Sequence, residues 1–372
     1  MFIISYIFLS CSNEKGKQYE VSDIPAIDFH KLERKKPSDV YQFSDIGFIQ
    51  LGYNQKVLLS DNIELQLVDN FFFIFDFIKK TLYRFNKDGQ FINQIGLSGK
   101  GPTEYSQVLG FAVNSKKQIV EVLCDLGCKI KQYSYDGIYL GSLNIPIRTD
   151  GFSLTAEGNY WFYSIIGNGE TNYRLHFYDT INPVKSFLPL ETKCFGVQEQ
   201  NFSKHNNEIW FRESFFPTIY KLDSGIVIPE FKIEFGKGEI NESDFIKAKD
   251  PFAFVETINQ EGFYTTACLI LNTNIIDILV VYHSNDKTEL NELLVFRNNQ
   301  KQFLIPYNDP LYLDLLNNSR PVFIDDQDNI NYLTNAMSFI DFIKRSRLTI
   351  DISKVDIQGN QILYTLPLKP IK

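Results

Sequence analysis

A strand-ending cadence recurs along this chain at nearly constant spacing. An aliphatic residue, an apolar residue three positions on and a polar residue after it appear first as Leu82, Phe85 and Asn86. The triple returns as Ile130, Tyr133 and Ser134, as Leu175, Tyr178 and Asp179, and as Ile219, Leu222 and Asp223. The steps are 48, 45 and 44 residues. Repetition at that period, built on short alternating strands, is the signature of a propeller blade. A blade cannot bury both its faces alone, so the repeat also implies one domain and not two. Aromatic residues make up 15% of the 372, with 33 Phe and 20 Tyr, an enrichment that suits pleated sheet.

A second cadence marks the turn before one strand of each blade. Asp69 and Asn70 precede an apolar run, as do Lys117 and Gln118, Gly158 and Asn159, Asn206 and Asn207, and Asp328 and Asn329. Asn, Asp and Gly tolerate the positive φ of tight hairpins. A third marker, Asp88 with Gly89 and Asp136 with Gly137, sits at matching places in the first two repeats. It predicts the hairpin that joins a third strand to an outer fourth strand. The period breaks over 238–263, where apolar residues take helical spacing, Asn241 or Ser243 is placed to cap a helix and Pro251 interrupts it. A second insertion is expected near 338–347. The sequence therefore predicts an all-β, six-bladed β-propeller with four-stranded antiparallel blades and short helical insertions. A strand within 41–51 is expected to complete the last blade and remove the open sheet edges.

The amino terminus reads as an address followed by a leash. Residues 1–10 are apolar and too short to cross a bilayer as a helix. Phe8, Leu9 and Ser10 before Cys11 resemble the lipobox of bacterial lipoproteins, although no Lys or Arg precedes the run. The resemblance implies cleavage before Cys11 and acylation of that residue. Residues 11–37 are polar and read as a tether, and 38–372 as the propeller. A lipid on Cys11 would put the chain where disulfides persist. Cys124 and Cys128 flank a turn and could bridge, but spacing alone leaves two unpaired, buried thiols as the expectation. Their spacing is no zinc pattern, for want of a second ligand pair.

Gly96, Gly99, Gly101, Pro102, Glu104 and Tyr105 follow the first hairpin. This loop resembles one in six-bladed β-propeller lipoproteins of Bacteroidetes, which are similar to NHL-repeat propellers. Thr103 stands where those proteins usually carry Gly. The resemblance spans nearly the whole chain and implies a cell-envelope lipoprotein of the outer membrane, periplasmic or surface-facing, held by its N-terminal lipid.

The glycine-rich loop is neither a Walker sequence nor a dinucleotide fingerprint. It reads as a rigid crossing between blades, or as a ligand site lined by Lys100, Glu104 and Tyr105. His30, His176, His205 and His283 are scattered, without a nucleophile elbow. The net charge of −8 argues against nucleic acid. The aromatic pairs Tyr160 with Trp161 and Trp210 with Phe211 read as blade core. Three functions remain, one of them a structural subunit of an outer-membrane complex, and the other two more specific. One is a binding scaffold for a peptide, glycan or protein, without cofactor, shaped by the two insertions. The other is a lactonase-like hydrolase or lyase using Ca²⁺ in the central channel. Its candidate acids are Asp76, Asp125, Glu213 and Asp277, which form no repeating ring.

Overall fold

The computed structural model describes residues 24–52, 57–165, 172–189, 199–310 and 312–370. Six antiparallel sheets form six blades. Blade 1 runs outward from the axis as Ile63–Val68, Phe71–Asp76, Thr81–Asn86 and Phe91–Ile95. Blade 2 is Gly110–Asn114, Ile119–Cys124, Lys129–Ser134 and Tyr139–Asn144. Blade 3 is Gly151–Leu154, Tyr160–Tyr163, Tyr173–Asp179 and Asn182–Pro189. Blade 4 is Phe202–His205, Glu208–Glu213, Phe216–Asp223 and Ile226–Glu234. Blade 5 is Phe263–Leu271, Ile275–His283, Thr288–Phe296 and Gln302–Pro306. Blade 6 takes three strands from the far end of the chain, Ser319–Ile324, Ile330–Thr334 and Ile362–Leu366. Its fourth strand is Gly47–Gln50, so the ring closes by pairing the two ends of the chain.

Burial explains the strand sequences. A second strand is covered on both faces by neighbouring blades, so Phe71–Asp76 reads as an unbroken apolar run ending in a buried Asp. An outer strand has one face to water, and Tyr139–Asn144 alternates between half-buried and exposed. The cadence residues Leu82, Ile130, Leu175 and Ile219 all lie in third strands and are at most 1% exposed. The turn residues have the expected positive φ, 53° at Asp69, 63° at Asn70 and 53° at Asn206. Gly89 and Gly137, at 77° and 84°, turn the third strand into the fourth.

The fold extends further toward the amino terminus than the sequence reading allows. Ala26–Asp28 adds a parallel fifth strand to the outer edge of blade 4, and Glu33–Arg34 does the same for blade 5. Residues from 24 onward therefore belong to the propeller and not to a leash. Strands of three and two residues are too short to leave a periodic signal.

Neighbouring blades are stitched by buried hydrogen bonds. Tyr160 Oη donates to Glu121 Oε1 at 3.1 Å across blades 2 and 3. Tyr163 Oη donates to Glu213 Oε1 at 3.0 Å across blades 3 and 4, and Arg174 Nε lies 2.8 Å from the same oxygen. Arg212, 1% exposed, donates to the carbonyls of Thr266 and Ala267 at 2.6 and 2.5 Å, joining blades 4 and 5. Each such bond contributes about 1 kcal/mol net, and leaving one buried group unpaired costs about 1–3 kcal/mol. Trp161, Trp210 and Phe211 are fully buried core, as read from the sequence.

The two ends of the ring differ. Connections from an inner strand to the next, and from a third strand to the fourth, are tight turns at one end. The connections at the other end carry the insertions: helices Glu242–Lys247 and Pro251–Glu261 between blades 4 and 5, Leu313–Asn317 between blades 5 and 6, and Ala336–Ser346 inside blade 6. Asp250 caps the second of these through the Phe252 and Ala253 amides, both at 2.9 Å. Pro251 thus opens a helix at its first turn, where no amide is needed, instead of interrupting one.

Candidate functional site: the central channel and its insertion face

The inner strands of all six blades enclose a channel cavity of about 390 Å³. That lies within the ~300–1,000 Å³ range of small-ligand pockets. Its wall mixes polar groups such as Glu64, Gln66, Glu199 and Lys204 with aromatic faces such as Phe152 and Phe323. Glu64 lies at the insertion-face end of the inner strand of blade 1, half-buried. Withdrawal from water pushes its carboxyl up to about 7, while a Gln66 Nε2 bond of 2.9 Å and the nearby Arg320 guanidinium partly oppose the rise. A carboxyl poised there can give or take a proton, or change its attraction for a cationic group, near neutral pH. Glu199 is held at the same end by Arg212 Nη1 at 3.0 Å and by the Ser214 amide at 2.8 Å.

Around this end stand exposed apolar side chains on the insertions and loops. They include Ile78 (68% exposed), Leu97 (59%), Ile246 (64%), Phe252 (87%) and Met337 (57%). Below them, Phe215, Phe245, Phe254, Ile258 and Phe263 form a small core that fixes the helix pair on the ring. Phe252 is therefore presented by a packed element.

The loop singled out from the sequence is a rigid crossing. Tyr105 is fully buried, which removes it as a ligand contact. Its Oη accepts from the Leu82 amide at 3.1 Å and donates to the Ile95 carbonyl at 3.0 Å. Glu104 Oε2 accepts from the Gly101 amide at 2.8 Å, and a Cβ on Gly99 would lie 1.9 Å from that same oxygen. Lys131 Nζ supports the loop from below through the Pro102 carbonyl at 3.2 Å. Lys100 is exposed on the insertion face, and none of the three lines the channel cavity. Cys11 lies outside the described residues, as does Cys194.

The four acids considered for a channel ion do not converge. Asp76 accepts from the Ser60 hydroxyl at 2.6 Å and the Lys79 amide at 2.8 Å, tying a loop. Asp125 pairs with Lys129 at 3.0 Å, Glu213 with Arg174, and Asp277 is fully buried between blades. Among the described residues, no three of His, Cys, Asp and Glu gather as a metal site. The histidines are equally dispersed: His30 donates to the Phe235 carbonyl at 3.0 Å, and His176 meets Ser186 Oγ at 2.9 Å inside blade 3. Cys124 and Cys128 are free thiols. Cys124 is buried, whereas Cys128 is exposed, because the turn of Asp125, Leu126 and Gly127 carries it out of the sheet.

Solved structures share the fold. A Bacteroides fragilis NCTC 9343 protein inferred to be exported matches with a TM-score of 0.74 at 20% identity, over 92% of this chain and 99% of that one. A member of the DUF4221 family from Bacteroides vulgatus ATCC 8482 matches with a TM-score of 0.54 at 9% identity, over 88% and 99%. No curated protein matches the chain. A family model described as a domain of unknown function, DUF4934, spans residues 20–366, and the chain belongs to that family.

Proposed function

We propose that this protein is a non-catalytic recognition module of the bacterial cell envelope, tethered by lipid on Cys11, that binds a peptide or protein partner on its insertion face. The observation that carries this reading is Phe252, 87% exposed on a helix pair packed firmly against the ring at the channel end that bears the insertions, with Ile246 exposed on the same pair. A large aromatic side chain held out to water by a fixed element beside a cavity suits docking of a partner, and binding residues are commonly carried on connections set on a rigid scaffold. The channel beneath would admit an extended segment of the partner. The lipobox-like residues before Cys11 support the envelope location. So does the likeness to a Bacteroides protein inferred to be exported. A hydrolase reading would need convergent acids, whereas Asp76 ties a loop, Asp125 and Glu213 sit in separate ion pairs and Asp277 is enclosed within blade 5.

Site-specific photo-crosslinking tests the proposal. A photoreactive side chain replacing Phe252 is expected to yield a discrete adduct in intact cells, while one replacing exposed Ile181 on the turn face yields none. Equal labelling at both positions, or none at Phe252, would overturn it.

A further inference from the structure

Blades 5 and 6 meet over a fully buried polar cluster that neither the channel nor the insertion face uses. Glu292 Oε2 accepts from Tyr41 Oη at 2.6 Å and from Tyr307 Oη at 3.1 Å, and its Oε1 accepts from Tyr332 Oη. Tyr41 and Tyr332 are themselves 2.9 Å apart at their hydroxyls. The three tyrosines come from the strap before the closing strand, from the segment after blade 5 and from blade 6. Tyr41 also bridges Leu368, so the cluster lies where the two ends of the chain meet.

Asp277 is 0% exposed, on the same face of blade 5 as Glu292, because its strand partner Leu294 lies two residues from Glu292. Neither Asp277 carboxyl oxygen has a donor to accept from among the described residues. As an anion it would be a second buried negative charge without a partner, an arrangement of several kcal/mol in cost. As a carboxylic acid it gains a hydrogen to donate. A carboxylate offers about four lone-pair sites, and the tyrosines fill three on Glu292.

We propose that Asp277 and Glu292 form a buried proton-binding site: one proton, carried on Asp277 and donated to the Glu292 carboxylate, completes a four-donor clasp that latches the ring at its closure. The step is a simple acid–base one. Loss of the proton to solvent leaves two adjacent carboxylates, and its return restores one anion with four donors. Burial first and the Glu292 charge second hold the Asp277 carboxyl well above the usual carboxylate range, in keeping with this assignment. The other titratable groups acting on Asp277 are the three tyrosines and the Cys268 thiol of the inner strand, whose Sγ donates to the Pro321 carbonyl at 3.6 Å. Arg212 and Arg320 act on Cys268, and no cation acts directly on Asp277.

Infrared spectroscopy of the wild-type protein at neutral pH is the direct test. A water-shielded carboxylic-acid carbonyl band is expected, slow to shift in D₂O, and absent in Asp277→Asn. Asn keeps a donor toward Glu292 and has no proton to lose, so that variant should match the wild-type denaturation midpoint near pH 4. The wild-type midpoint should fall below that of the variant as pH rises from there, because the unfolded Asp277 ionises while the folded one holds its proton. Asp277→Ala and Glu292→Gln should both lower the midpoint. No acid band in the wild type would overturn the proposal whatever the variants do. So would stoichiometric metal in the purified protein that Asp277→Asn loses together with its stability, since the site would then hold a cation.

Discussion

Replacing Glu64 by Gln isolates the electrostatics of the channel wall. The wall pushes the carboxyl up to about 7 from an ordinary 4.5. One unit corresponds to about 1.4 kcal/mol between protonation states, so ionising Glu64 in place costs about 2–3 kcal/mol, allowing for the water the channel admits. The folded-state pKa lies above the unfolded one. The favourable contribution is therefore complete below about 4.5 and is lost as pH rises through about 7. Gln matches the shape, carries no charge and keeps an oxygen for the Gln66 amide. Urea denaturation of both proteins from pH 5 to pH 8 measures the effect, because the difference between them cancels other titrating groups. The two should differ by under about 1 kcal/mol at pH 5, and Glu64→Gln should be the more stable by about 2–3 kcal/mol at pH 8. A difference that stays flat across this window, or a variant weaker at pH 8, would refute the account of the wall.

Three further outcomes are expected. Gly127 has φ of 81° and a Cβ there would lie 1.8 Å from the Thr149 carbonyl, whereas at Gly158, with φ of 92°, the nearest atom is 3.7 Å away. Gly127→Ala should therefore destabilise by about 3 kcal/mol or more and Gly158→Ala by about 1 kcal/mol, and equal losses in denaturant midpoints would show that the close approach is not real. Tyr105→Phe should cost about 1–3 kcal/mol by leaving the Leu82 amide buried and unpaired, read in the same assay. Thiol alkylation followed by peptide mapping should mark exposed Cys128 quickly and leave Cys124 unmodified, since burial pushes the Cys124 thiol up to about 11; comparable labelling of both would contradict the packing of blade 2.

The parts of this fold that could be read from sequence are those set by local chemistry. The third strands announce themselves because Leu82, Ile130, Leu175 and Ile219 must fill equivalent places between blades. Asp69, Asn206 and Gly89 mark turns because few residues accept their φ. The functional features are another matter. Glu64 looks like any polar position in an alternating strand, and its raised pKa arises from a wall assembled by six blades. Tyr41, Asp277, Glu292, Tyr307 and Tyr332 meet only through ring closure, so no spacing in the sequence connects them. Phe252 could have been noticed as an apolar residue beside Pro251 at a helix start, where the first turn is usually solvated, but its exposure depends on which face the helix packs. The loop of Lys100, Glu104 and Tyr105 was conspicuous for its glycines, and those serve the crossing itself.

The strap from residue 26 to residue 50 has a mechanical consequence. It pairs along the rim of blade 4, then blade 5, and ends as the closing strand of blade 6. A pull on the amino terminus would meet these attachments in series and not at once. The three-residue and two-residue pairings would slip first, each with a handful of backbone bonds. Tyr41 and the four-residue closing strand would carry load only after both had gone. The rim pairings act as sacrificial stops, so a chain tugged by its leading end loses slack at the rim long before the ring itself comes apart.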